Sequence, residues 1–187
     1  MSKAGLKLIV LSICMGVSLL WADNLRNILQ TSLPKLQNYS NLTDKKIKND
    51  VTTVVVFLSS RCPCSHGHIS VLNTLAQDFS SVQFLGVHSN QDENDTQDAL
   101  YFKNLNLSFP VFRDENAKLA NEFGALKTPH VFVLNKSGGL VYEGGVDDSL
   151  MPDTAKKHYL RDTLTLIENG QNPKTQRTRT LGCEISR

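Results

Sequence analysis

Two cysteines separated by one proline, Cys62 and Cys64, are the residues of this sequence best suited to chemistry. They follow an apolar, β-branched run at residues 54–58 that is typical of a buried strand, and apolar residues recur behind them at helical spacing from Ile69 to Phe79. A thiol between a strand and a helix lies at the helix N-terminus, where free amides and the helix dipole stabilise a thiolate. The pattern therefore predicts that Cys62 attacks in thiol–disulfide exchange and that Cys64 is a resolving thiol or a bystander.

The first 22 residues have the features of a secretory signal. Lys3 and Lys7 precede an apolar run over residues 8–20, and Ala22 offers a small residue for cleavage. The alternative is an uncleaved membrane anchor, although the run is short for a spanning helix. We therefore expect an exported protein, periplasmic or extracellular, whose mature chain begins at Asp23 and meets a membrane only through an uncleaved anchor.

Export would leave Cys62, Cys64 and Cys183 in the mature chain. An odd number of cysteines is not typical of a purely structural disulfide framework, and the compartment outside the cytoplasm is oxidising. Cys183 is thus a second candidate for the resolving thiol, brought to the site by a flexible tail. A disulfide between Cys62 and Cys64 would close a small ring and be easily reduced. The plainer alternative is that these thiols are inert and buried, or statically paired.

The same stretch also suggests a metal site, because Cys62, Cys64, His66 and His68 supply ligands that suit copper or zinc. Residues two apart do not share a face of a helix, so the four would converge only on an irregular first turn. We therefore expect no metal and no cofactor, with both histidines near the helix start. A copper-binding or copper-delivery protein is the alternative from another class.

Length and charge favour a single domain without a polyanionic partner. The chain has 187 residues and a formal net charge of +2; the length suffices for a sizeable core, and the charge is too near balance to suggest nucleic acid. We assign residues 1–22 to a signal peptide, 23–50 to an N-terminal lead-in whose polar part, 31–50, lies at the surface, 51–170 to the domain and 171–187 to a tail.

Strand and helix patterns alternate along the domain. The predicted elements are a short helix at 23–30, strand 51–58, helix 65–79, strand 82–88, a helix after Asp95 with Ala99, Leu100, Phe102 and Leu105, an extended piece at 109–112, a helix from Asp114 to Gly124, a hairpin of 131–134 with 140–144, and a helix at 153–169. This order predicts an α/β fold with a central mixed sheet flanked by helices on both faces. Chemistry is expected beyond the carboxyl end of a central strand, where Cys62 falls.

Several segments in this order resemble the thioredoxin-like redoxins, and within them the exported thiol–disulfide oxidoreductases and peroxiredoxin-like (AhpC/TSA-type) proteins. The spacing from Phe57 to Cys62 is similar to that between the strand and the first active-site cysteine of thioredoxins, and Thr128-Pro129 resembles the threonine and cis-proline that face it. The ending Gly182-Cys183-Glu184-Ile185 resembles the tail of one branch. The resemblance covers residues 51–187 and implies a thioredoxin-like fold.

The resemblance also implies an enzyme, a thiol–disulfide oxidoreductase acting on protein or small-molecule disulfides and thiols with a redox partner protein. Thr128 and Pro129 would shape its substrate groove. Arg61 would lie beside that groove and lower the pKa of Cys62, together with the helix N-terminus. His130 would be a proton donor or base near the thiol, or simply a strand residue.

Two departures bear on the alternative of a peroxiredoxin-like thiol peroxidase. Ser65 stands where thioredoxins have their second active-site cysteine. Peroxiredoxins carry a proline and a threonine ahead of their reactive cysteine, at the places that Val55 and Ser59 occupy here. Serine keeps a hydroxyl near the thiol, but the proline is missing. Peroxides are therefore the second candidate substrate, behind disulfides.

Overall fold

The computed structural model describes residues 25–40, 42, 47–171, 173 and 176–187. The segment predicted to be a signal peptide, residues 1–22, lies outside this described part of the chain. Within the described part, no helix combines the length and the apolar character needed to cross a membrane.

The secondary structure follows the predicted alternation. The strands are β1 (Thr53–Leu58), β2 (Gln83–His88), β3 (Val111–Arg113), β4 (Lys127–Thr128), β5 (His130–Leu134), β6 (Leu140–Gly144), β7 (Gln176–Arg177) and β8 (Cys183–Glu184). The helices are α1 (residues 25–32), α2 (Pro63–Asp78), α3 (Asp95–Asn104), α4 (Lys118–Phe123) and α5 (Tyr159–Glu168). Short 3₁₀ turns occur at Leu33–Lys35, Glu115–Ala117 and Pro152–Thr154.

Six strands form the central sheet, in the order β3-β2-β1-β5-β6-β7. Strand β1 pairs parallel with β2 and antiparallel with β5, and β5 and β6 form the predicted antiparallel hairpin. The mixed sheet is thereby confirmed. Strands β4 and β8 form a separate two-stranded sheet. The carboxyl end of β1 is central in the sheet, and it delivers the chain to Cys62.

Helices cover both faces of the sheet, as predicted. Alternate residues of β1 point to opposite sides, so Val54 and Val56 join one apolar cluster while Val55 and Phe57 join the other. Helices α2, α3 and α5 contribute to the first cluster, and α1 and α4 to the second. Burial on both faces explains why β1 is an unbroken apolar run instead of an alternating one.

The segment before β1 belongs to the core, which corrects the expectation of a polar surface lead-in. Leu25, Leu29 and Leu33 are at most 1% exposed and pack in the second apolar cluster. The backbone amide of Tyr39 donates to the carbonyl of Val111 at 2.8 Å. The apolar residues lie about one helical turn apart, so α1 covers the sheet with one face, while Asn27 and Thr31 on the other side are exposed.

Two further details differ from the sequence prediction. The last helix begins at Tyr159 because the Asp148 carboxylate accepts hydrogen bonds from the amides of Lys156 and Lys157, which holds the preceding chain outside the helix. Leu100, one of the four apolar residues named for the helix after Asp95, is 55% exposed. The buried face of α3 carries Asp98 and Phe102, four residues apart, and a residue midway between them lies on the opposite side.

Candidate active site

Cys62 lies between β1 and α2 and is the N-cap residue of that helix. Pro63 is the first helical residue, a position that suits proline because the first amides of a helix have no partner inside it. The backbone amide of Cys62 donates to the Ser59 hydroxyl at 3.0 Å. The side chain is only 2% exposed, so the candidate nucleophile lies at a helix N-terminus and is covered.

Thr128 and Pro129 face the thiol, as the resemblance implied. The peptide bond between them is cis, and Cys62 Sγ donates to the Thr128 carbonyl oxygen at 3.1 Å. The Thr128 hydroxyl is buried and has no hydrogen-bond partner in the described part of the chain. It is therefore available to donate to the sulfur once that sulfur is ionised.

The tail docks against this same point. Strand β8 pairs antiparallel with β4, with Cys183 opposite Thr128 and Glu184 opposite Lys127. Gly182 has φ 142°, and a Cβ there would lie 2.0 Å from the Thr128 carbonyl oxygen. Only glycine permits so close an approach. Cys183 is thus held at the site by strand pairing, where the sequence suggested a flexible tail.

The three cysteines are free thiols that interact with one another. Burial raises the pKa of Cys62, but the side chains of Cys183 and Thr128 and the amides of Ser65 and Cys183 outweigh it and bring the pKa to about 7. Burial, and then the hydrogen bond and charge of Cys62, raise the pKa of Cys183 to about 12. Burial and the charge of Cys62 also raise the pKa of Cys64. Cys62 is therefore the first of the three to become a thiolate.

A buried polar network holds the loop before Cys62, and the sequence analysis missed it. Glu93 accepts hydrogen bonds from the hydroxyls of Ser59 and Ser60 and from the Ser60 amide. The Ser60 hydroxyl also contacts the Asp98 carboxylate. The side chains of Glu93 and Asp98 are 3% and 2% exposed. Because Ser59 in turn accepts from the Cys62 amide, this network fixes the backbone that presents the thiol.

His88 completes the network at the end of β2. Its Nδ1 faces the Leu58 carbonyl oxygen at 3.1 Å, and its Nε2 faces Asp98 Oδ2 at 3.2 Å. A carbonyl can only accept, so Nδ1 is the donor in the first of these contacts, and Nε2 is left facing the carboxylate. One signal was available in the sequence: two strands joined by a helix commonly pair in parallel, and the polar residues after β1 and β2 then meet at one edge of the sheet.

The copper alternative does not assemble in the structure. His66 Nδ1 lies 3.0 Å from the Tyr101 hydroxyl. His68 is buried, with Nδ1 on the Cys64 carbonyl oxygen at 2.7 Å and Nε2 on Asp147 Oδ2 at 3.1 Å. Within the described residues, the group of ligand atoms close enough to share a cation is that of His88, Glu93 and Asp98, all within 4.8 Å of one another. Both carboxylates there already accept hydrogen bonds from serines.

Arg61 does not lower the pKa of Cys62 as expected, and His130 fits the second of its two expected roles, that of a strand residue. Arg61 is exposed, its Nη1 donates to the Asp92 carbonyl oxygen at 3.4 Å, and it is not among the groups that shift the pKa of Cys62. His130 is buried in β5, where Nδ1 accepts from the Leu126 amide at 3.2 Å. Its ring packs on Phe132 with centroids 4.5 Å apart. Burial lowers the pKa of His130 to about 4, which suits a neutral structural residue.

The buried His130 predicts a loss of stability in mild acid. The folded state favours the neutral ring, so the unfolded chain binds this proton at the higher pH, near the ordinary pKa of 6.5. The free energy of unfolding should therefore fall as the pH decreases from about 6.5 to about 4, by up to roughly 3 kcal/mol from this residue. Urea unfolding at a series of pH values measures it. His130→Gln, which keeps a hydrogen-bond acceptor, should show a shallower pH dependence; identical curves would contradict this assignment.

Comparison with known proteins agrees with this geometry. A family model described as thioredoxin-like matches residues 49–140. An uncharacterized conserved protein from Geobacillus kaustophilus has 25% sequence identity and a TM-score of 0.70, over 81% of this chain and 87% of that chain. A hypothetical protein from Sinorhizobium meliloti 1021, SMc02350, has 24% identity and a TM-score of 0.64, over 73% and 80%. The N-terminal domain of PilB from Neisseria gonorrhoeae has 18% identity and a TM-score of 0.52, over 75% and 91%. No curated protein matches the sequence.

The matched segment and the shared architecture show that the chain has a thioredoxin-like fold. The segment that the family model matches contains Cys62, Cys64 and Thr128-Pro129. Cys183 lies beyond it, in the docked tail.

Proposed function

We propose that the protein is an exported thiol–disulfide oxidoreductase in which Cys62 is the nucleophile and Cys183 the resolving thiol. The observation that carries the proposal is the pairing of β8 with β4, which places Cys183 at the residue whose carbonyl receives the Cys62 thiol. The pKa values of the two thiols support these two roles. Cys62, at about 7, is partly ionised near neutral pH, while Cys183, at about 12, keeps its proton until Cys62 has reacted.

The reaction balances with the two thiols alone. The Cys62 thiolate attacks one sulfur of a substrate disulfide, forms a mixed disulfide and releases the other half as a thiolate, which takes up a proton. Cys183 then loses its proton and attacks the sulfur of Cys62, so that the bound half leaves as a second thiolate. The protein ends with a Cys62–Cys183 disulfide, and the substrate disulfide has been reduced to two thiols. The reverse sequence oxidises a dithiol.

Cys64 has no necessary part in this scheme. It lies in the first turn of α2, and burial and the charge of Cys62 raise its pKa, so it ionises after Cys62. Its disulfide with Cys62 would close the small ring that departs from relaxed geometry. We therefore expect Cys64 to accept a disulfide only transiently.

Mass spectrometry of the protein expressed from the full-length gene tests the proposal. After one equivalent of a disulfide oxidant, we expect a peptide pair cross-linked through Cys62 and Cys183, with Cys64 open to alkylation. A chain that begins at Asp23 is expected in the same spectra if the signal peptide is removed. Cross-linking of Cys62 to Cys64 as the stable product, or no disulfide at all, would contradict the assignment of Cys183.

A further inference from the structure

The docked tail occupies a strand edge that a polypeptide substrate would need. Strand β4 lies directly beside Cys62, and its main-chain groups pair with β8. An extended polypeptide that brought a disulfide to Cys62 would add to this edge as a strand, with the same main-chain hydrogen bonds. We infer that residues 182–187 block this polypeptide-binding edge and restrict Cys62 to low-molecular-weight disulfides; this inference rests on the proposed function.

Contacts beyond the strand pair hold the tail in place. The Ile185 amide donates to the Leu126 carbonyl oxygen at 3.0 Å, and the Ile185 side chain is 4% exposed within the second apolar cluster. The Gln91 amide donates to the Ser186 hydroxyl at 3.0 Å. Arg187 Nε donates to Asn121 Oδ1 at 2.7 Å. The tail is therefore anchored directly after β8, by three consecutive residues, and these contacts must break before β4 is free.

A small disulfide needs a smaller displacement. Cys62 is 2% exposed with the tail docked, so a small disulfide needs a local opening that brings one of its sulfurs in line with Sγ. A polypeptide needs the β4 edge along its length. With the tail docked, Cys183 also stays beside the mixed disulfide, so the second half of a small substrate leaves quickly. A polypeptide that displaced the tail would move Cys183 away from Cys62. The mixed disulfide between that polypeptide and Cys62 would then stay unresolved. The two substrate classes thus differ in whether β8 must dissociate from β4 before the substrate can react.

The test compares two disulfides with the pre-reduced full-length protein, 2-hydroxyethyl disulfide as the small probe and insulin as the polypeptide probe. Wild-type protein should react with the small probe at least about tenfold faster per disulfide than with insulin, because only the undocked fraction accepts a polypeptide. Ile185→Asp, which makes a buried anchor charged, should raise the insulin rate by about tenfold or more and the small-probe rate far less. Glu184→Gln is the matched control, since this side chain is exposed and directly precedes the buried anchor Ile185.

The outcomes of this test distinguish a failure of the inference from a failure of the proposed function. Equal rates for both probes in wild-type protein, or an unchanged ratio in Ile185→Asp, would overturn the inference while leaving the proposed function intact. A Cys62 that reacts with neither probe would overturn the proposed function itself. Gly182→Ala, which places a Cβ against the Thr128 carbonyl, provides a second way to undock the tail if Ile185→Asp does not fold. Labelling of Cys62 by a bulky maleimide should follow the insulin rates in both variants.

Discussion

Replacing Cys62 by serine is expected to lower the rate of disulfide exchange by about a thousandfold or more, because the hydroxyl is neither ionised near neutral pH nor able to form a disulfide. Cys183→Ser should behave differently. It keeps the first attack, so one equivalent of the small substrate reacts and the mixed disulfide on Cys62 accumulates. Stopped-flow measurement of thiol release, followed by mass spectrometry of the quenched protein, distinguishes the two variants. Cys64→Ser is the matched control and should retain the full reaction.

The pH dependence of the first step gives a further check on the same residues. The attack rate should rise with pH through about 7 as Cys62 ionises, because its pKa is lowered to that value. Cys183→Ala removes one of the groups that lower this pKa and should move the midpoint upward. An unchanged midpoint would show that Cys183 does not contact the thiol, and full activity of Cys62→Ser would contradict the mechanism altogether.

Replacing Asp98 by alanine is expected to destabilise the fold by about 3–5 kcal/mol, the cost of breaking a buried pair of titratable groups. Both partners are almost fully buried, and the change leaves the Nε2 of His88 without the carboxylate that it faces in a site closed to water. It also removes one of the two carboxylates that contact the Ser60 hydroxyl. Urea unfolding measures the loss. The loop that carries Ser60 also holds the thiol, so alkylation of Cys62 should change in the same variant.

Asp78→Ala is the matched control, because it also removes an aspartate from a 3.1 Å ion pair. Asp78 and its partner Arg161 are about half exposed, at 47% and 44%. Exposed pairs of this kind contribute less than about 1 kcal/mol. Equal losses for the two aspartates would contradict the role assigned to the buried network. Asp98→Asn keeps an acceptor and serves as the milder variant if the alanine protein does not fold.

The position of the thiol could be predicted from the sequence because local patterns determine it. Cys62 is predicted to lie at the helix N-terminus from three local features. These are an apolar strand before it, a proline at the first helical position after it, and apolar residues at helical spacing further on. The two ends of α4 could also be predicted from the sequence. The Asp114 carboxylate accepts hydrogen bonds from the amides of Leu119 and Ala120. Gly124 ends the helix with a positive φ. These features depend on neighbours within one or two turns.

The features that the sequence did not reveal depend on distant partners. Strands of two residues, such as β4 and β8, are too short to show a period, so the docking of Cys183 has no local pattern. Acidic residues such as Glu93 and Asp98 near a helix start are typical of a solvent-exposed position. Here they are buried because the ends of β1 and β2 lie next to them. The apolar residues of α1 are spaced as in any amphipathic helix, and the sheet that they cover comes later in the chain.

The position of β8 far along the chain from Cys62 also governs how the site forms during biosynthesis. A nascent chain that emerges from a ribosome or a translocation pore presents Cys62 and the bare edge of β4 before residues 182–187 have followed. In that interval the thiol has neither its cover nor the thiol that we propose to resolve it, and it is open to cross-linking with other emerging chains. Synthesis of residues 182–187 therefore ends this exposure, and a chain that stops before residue 182 would fold with Cys62 uncovered.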